Sequence, residues 1–136
     1  FFMSMNLGSW GVKKGYPYEA VSYITSNPIK GNMLNDYSWG GYLIWQLPEY
    51  KTFIDGRMTA WRDNKSYLME DYKKISGDTE KNEALLEKYL QEYNIKWIIN
   101  KPDSVLVEFL KEKRAGNWNT VFEDDVSTIL VKSSDL

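Results

Sequence analysis

The chain reads as a single three-layer α/β domain with a mostly parallel sheet and a C-terminal antiparallel hairpin. Three observations lead there. Short apolar segments at 31–34, 51–54 and 95–99 alternate with longer segments of helical periodicity, and such alternation favours right-handed crossovers between parallel strands. The last two apolar segments, 118–122 and 127–131, are separated by a short acidic turn, Glu123-Asp124-Asp125, as in a hairpin. The chain has 136 residues, 43% hydrophobic and 26% charged with a formal net charge of −2, which suits one ordered domain.

Residues 1–16 carry Gly8, Gly11 and Gly15 among polar residues and read as an arm; residues 17–136 form the domain. Pro17 suits the first turn of a helix. Its apolar face is Ala20, Val21, Tyr23 and Ile24, and Asn27-Pro28 stops it. Gly31–Leu34 is the first strand and ends at Asn35. Asp36 or Ser38 caps the next helix, Trp39 to Gln46, which ends before Pro48. Its Gly40-Gly41 pair is costly in a helix and implies close backbone approach to a neighbour. Lys51–Ile54 is the second strand. Residues 58–80 are ambiguous, with helical spacing at Tyr67, Leu68, Met69, Tyr72 and Ile75 and a break at Ser76-Gly77-Asp78. Asn82 to Tyr93 is the clearest helix, with Leu85, Leu86, Tyr89 and Leu90 as its stripe. Ile95–Ile99 is the third strand. Pro102-Asp103-Ser104 starts a helix through Lys113 with Val105, Leu106, Phe109 and Leu110 inward, closed by Gly116.

Composition narrows the chemistry. The chain has no Cys and no His, so zinc, haem and His-based catalysis lose their usual groups. Its mild acidity gives no basic footprint for nucleic acid. No segment approaches the roughly 20 apolar residues of a membrane helix. The apolar start Phe1-Phe2-Met3 is read as the end of an upstream membrane span, the alternative being an arbitrary boundary.

Ligands in open α/β sheets bind beyond the carboxyl ends of parallel strands. That rule singles out Asn35, Asp36, Asp55 and Arg57, with Asn100 at the end of the third strand. Two carboxylates beside an arginine can bind sugar hydroxyls or a hard cation. The competing reading, weighed more heavily, is structural: Asp36 caps a helix and Asp55 pairs with Arg57 or closes a turn. Tyr37, Trp39, Tyr42 and Trp45 can stack on sugar rings or face lipid headgroups, although a stripe at helical spacing is more often core. No metal or cofactor is assigned. Asn64-Lys65-Ser66 has the form of a glycosylation acceptor.

The segments NDYSWGGYLIW and FIDGR, followed by YNIKWII and WNTVFEDD, resemble the soluble C-terminal region of bacterial and archaeal multi-pass membrane glycosyltransferases. These enzymes use lipid-phosphate-linked sugars, as in the protein mannosyltransferase and oligosaccharyltransferase groups. A looser similarity is to the oligosaccharyltransferase catalytic subunit, whose W-W-D-Y-G segment recognises the acceptor peptide. Asp36-Tyr37 match its Asp-Tyr, and Lys51-Thr52, Ile54, Asp55 and Gly56 match a following stretch, whereas Leu34-Asn35 stand in place of the tryptophans and Ser38 in place of the glycine. The resemblance implies a membrane-tethered, extracytoplasmic and non-catalytic domain that helps position a glycan or protein acceptor and packs near its own upstream transmembrane region. Its implied contacts are Asn35, Asp36, Tyr37, Trp39, Asp55 and Arg57. The alternative is an interaction or scaffold domain with no ligand site.

Overall fold

A computed structural model describes residues 15–54 and 66–133. Helix α1 (Tyr18–Ser26) begins after Pro17, whose carbonyl accepts from the Val21 N–H, and buries Ala20, Val21 and Ile24. Strand β1 (Asn32–Asn35) is followed by a 3₁₀ turn (Tyr37–Trp39) and helix α2 (Gly40–Gln46). Helix α3 (Ser66–Gly77) and helix α4 (Glu83–Glu92) precede strand β2 (Ile95–Asn100). Helix α5 (Val105–Lys113) then leads into strands β3 (Trp118–Glu123) and β4 (Thr128–Lys132). None of these helices is long and apolar enough to cross a membrane.

The α/β class and the terminal hairpin are as expected, but the sheet is mixed. Its order is β1-β2-β4-β3. Only β1 and β2 are parallel; β2–β4 and β3–β4 are antiparallel. The expectation of a mostly parallel sheet failed at residues 51–54, which form no strand. Instead of joining a ladder, the Phe53 and Ile54 N–H groups donate to the Asn35 side chain. A four-residue segment tied to a side chain in this way has those two donors no longer available for strand pairing. The other neighbour of β2 is then the returning strand of the hairpin.

Strand alternation feeds two cores. Leu34, Ile98 and Leu130 pack with residues of α3, α4 and α5, among them Leu68, Leu86, Tyr89, Leu106 and Leu110. Met33, Trp97, Ile99, Ile129 and Val131 pack with Ala20, Val21 and Ile24 of α1 and with Trp39, Leu43 and Leu47. Such opposite facing follows from the two-residue period of a strand. Ile95 breaks the pattern and joins the first core because the β1–β2 register shifts between Asn32 and Met33, leaving Lys96 as the extra residue of β2.

Two side-chain expectations shift. On α5 Val105 is exposed and Val107 is buried; Ser104, whose hydroxyl accepts from the Val107 N–H, sets the phase of the first turn. On α2 the pair Gly40-Gly41 divides, Gly40 being buried while a methyl group on Gly41 would meet open space. The glycine with a steric duty is Gly31. Its φ is +95°, and an added Cβ would lie 2.6 Å from the Lys96 Cβ at the bulge. Its carbonyl also accepts from the Trp97 indole at 3.0 Å. Gly31→Ala is expected to destabilise the domain by about 1–3 kcal/mol through backbone strain, measured by urea denaturation. A midpoint matching wild type would show that the bulge relaxes freely.

Candidate functional site

The parallel pairing of β1 and β2 brings the loops after both strands to one edge of the sheet, the edge from which β4 starts. Asn35, Asp36, Asn100 and Lys101 therefore meet there, together with the β3–β4 turn.

Asn35 is fully buried. Its amide nitrogen donates to the carbonyls of Asp36 at 2.9 Å and Ile54 at 2.7 Å. Its oxygen accepts from Phe53 N at 2.8 Å and Ile54 N at 3.2 Å. An amide offers two donors and one oxygen with two lone pairs, so no polar capacity is left for a ligand. Asn35 is a staple between the end of β1 and the 53–54 segment, contrary to its expected role as a ligand contact.

Asp36 does cap the turn that follows it. One carboxylate oxygen accepts from the Ser38 N–H at 2.7 Å and from its hydroxyl at 2.6 Å. The other lies 3.7 Å from the Lys101 ammonium. Tyr37 is half-buried against the first core, and its N–H donates to the Tyr72 hydroxyl at 2.9 Å. Burial, and secondarily the charge of Asp36, hold the Tyr72 phenol above its ordinary pKa, so Tyr72 is a neutral support rather than an acid-base group.

Trp39 is buried, and its indole donates to the Gly15 carbonyl at 2.8 Å. The Lys101 ammonium stands 6.0 Å from the centre of its ring, at the limit of a cation–π contact. Lys101 thus connects the two halves of the site, Asp36 on one side and Trp39 on the other. Beyond them opens a cleft of about 500 Å³, with Trp39 in its floor and Lys101, Asp103, Glu108 and Asp125 around it. Among the described residues no group of three carboxylates converges closely enough to hold a metal ion. One ammonium and three carboxylates offer donors and acceptors to a hydroxyl-rich or amine-bearing ligand.

Asp55 and Arg57 lie outside the described residues, as does Asn64 of the glycosylation triplet. The aromatic set does not form one stripe. Trp39 is buried, Tyr42 is half-buried against Tyr16, and Trp45 is 73% exposed. Two steps of three residues place Trp39 and Trp45 roughly 120° apart on an ideal helix, and Trp39 moreover belongs to the preceding 3₁₀ turn. The acidic turn is used internally: an Asp124 carboxylate oxygen accepts from the N–H groups of Val126 and Ser127, both at 2.9 Å.

Sequence reasoning passed over Lys101, Asp103, Glu108 and Asp125. Lys101 was within reach, because it directly follows Asn100 at the end of a parallel strand. Asp125 was not, since its approach depends on β4 lying beside β2. Comparison with protein-family models, curated proteins and solved structures finds no match for this chain.

Proposed function

We propose that this is a non-catalytic, membrane-tethered, extracytoplasmic domain of a glycosyltransferase-like protein, and that its edge cleft helps position a glycan or protein acceptor. The observation that carries this reading is the route of the chain. Gly15, at the end of the upstream arm, is held by the Trp39 indole at the rim of the same cleft that Lys101 and Asp36 border. Whatever precedes the arm is therefore joined to the domain beside its cleft. Asp36 and Lys101 carry polar recognition in this reading, Tyr37 and Trp39 shape the surface, and Asp55 and Arg57 belong to the same proposal through the resemblance. The two cores on either side of the sheet are read as a three-layer domain.

The test is transfer from a lipid-phosphate-linked sugar by the full-length protein in membranes, wild type against Lys101→Ala. The Lys101 ammonium is half-exposed and its pairing with Asp36 is long, so its removal is expected to cost less than about 1 kcal/mol of stability. Acceptor KM is expected to rise several-fold with the melting temperature nearly unchanged. Unaltered kinetics, or activity lost only in proportion to stability, would remove the acceptor role.

A second reading, an interaction domain without a ligand site, is favoured by one observation: Trp45, the most exposed large hydrophobic residue described, lies outside the cleft.

A further inference from the structure

Trp45 stands on the outer side of α2 with 73% of its surface in solvent. One turn back, Gly41 leaves the backbone bare, with open space where a side chain would be. Tyr42, three residues before Trp45 and so its neighbour on the helix surface, packs its ring 5.0 Å from that of Tyr16, itself 39% exposed. The patch Tyr16–Tyr42–Trp45 thus runs from the entry of the chain along α2.

We propose that this patch rests on the headgroup layer of a lipid bilayer. The proposal relies on the reading of the domain as membrane-tethered and identifies the face turned to the membrane. Three features select lipid over a protein partner. Trp and Tyr, apolar with one polar atom each, are the residues enriched where hydrocarbon meets water. The patch begins at Tyr16, so the tether and the patch are adjoining. The residues leading into it include Phe1, Phe2, Met3, Leu7 and Trp10, followed by Lys13 and Lys14, the order of apolar and basic residues found at a membrane boundary. Glu19 near Tyr16 and Glu49 after Trp45 make a zwitterionic surface the better match than an anionic one. Tethering matters because a single indole binds bilayers weakly, and attachment raises its effective concentration at the surface.

The experiment attaches the 136-residue chain through an N-terminal histidine tag to phosphatidylcholine vesicles containing a chelating lipid. Emission of wild type minus that of Trp45→Phe isolates the one indole. Its signal is expected to shift to the blue on tethering and to be quenched when the acyl chains are brominated. Identical difference spectra on plain and brominated vesicles would overturn the proposal, including the case in which only the upstream aromatic residues enter the lipid. A blue shift that appears without lipid as protein concentration rises would assign the patch to self-association and overturn it equally. Because the tether is supplied artificially, a negative result here leaves the Lys101 transfer test standing, and a failed transfer test leaves this one interpretable.

Discussion

Replacing Asn35 with alanine is expected to destabilise the domain by about 3 kcal/mol or more, one of the two largest effects of single polar or aromatic substitutions at this edge. Two backbone N–H groups, at Phe53 and Ile54, would lose the one acceptor they share, and the carbonyls of Asp36 and Ile54 would lose a donor. Each group left buried without a partner costs about 1–3 kcal/mol, and Ile54 is wholly buried. Entry of water into the space left by the amide would recover part of that loss. For a domain of this size the melting temperature should fall by roughly 10 °C. Amide hydrogen exchange at Phe53 and Ile54 should accelerate before that of β2, since local release of the segment precedes global unfolding. Asn35→Asp is expected to be no better: it keeps the acceptors, loses both donors and puts a charge in a dry site. A loss below about 1 kcal/mol in the alanine variant would mean that residues 52–54 find backbone partners of their own, as a strand would.

That staple also explains where sequence reading succeeded and where it failed. Helices α1, α4 and α5 were legible because periodicity, Pro17, and the Ser104 and Asn27-Pro28 boundaries all act within a few residues. The hairpin was legible for the same reason. Residues 51–54 were not, because β-like composition does not reveal whether a backbone N–H will meet a strand or a side chain 18 residues earlier in the chain. The prediction that loops after β1 and β2 share an edge held, since it needed only those two strands to be parallel neighbours. The partners on that edge were partly invisible. Asp36 was correctly given a capping role from its position before a helical segment. Its approach to Lys101 across 65 residues, and the contribution of Asp125 from the hairpin turn, are products of the strand order β1-β2-β4-β3. Local pattern carries no information on that order.

Trp39 separates ligand contact from architecture most sharply. Trp39→Ala is expected to cost about 3–5 kcal/mol, the range for truncating a large buried aromatic, because the indole is 1% exposed and packs with Leu43, Leu47 and Trp97 in the second core. So large a loss would depress any activity and by itself says nothing about acceptor binding. Trp39→Phe is the informative companion. It keeps most of the apolar volume and removes the N–H that holds the Gly15 carbonyl, a loss of about 1–3 kcal/mol including the smaller ring. If Trp39 serves by fixing the arm at the rim of the cleft, Trp39→Phe should loosen residues 15–17, seen as faster amide exchange at Tyr18, whose N–H bonds the Tyr16 carbonyl. Acceptor KM in the full-length protein should then rise less than it does for Lys101→Ala, since the cleft walls are untouched. A Trp39→Phe variant with an unchanged melting temperature and abolished acceptor use would reverse the assignment. The indole would then be a direct contact, made accessible by a movement of Gly15, and the arm would be part of the recognition surface rather than its anchor.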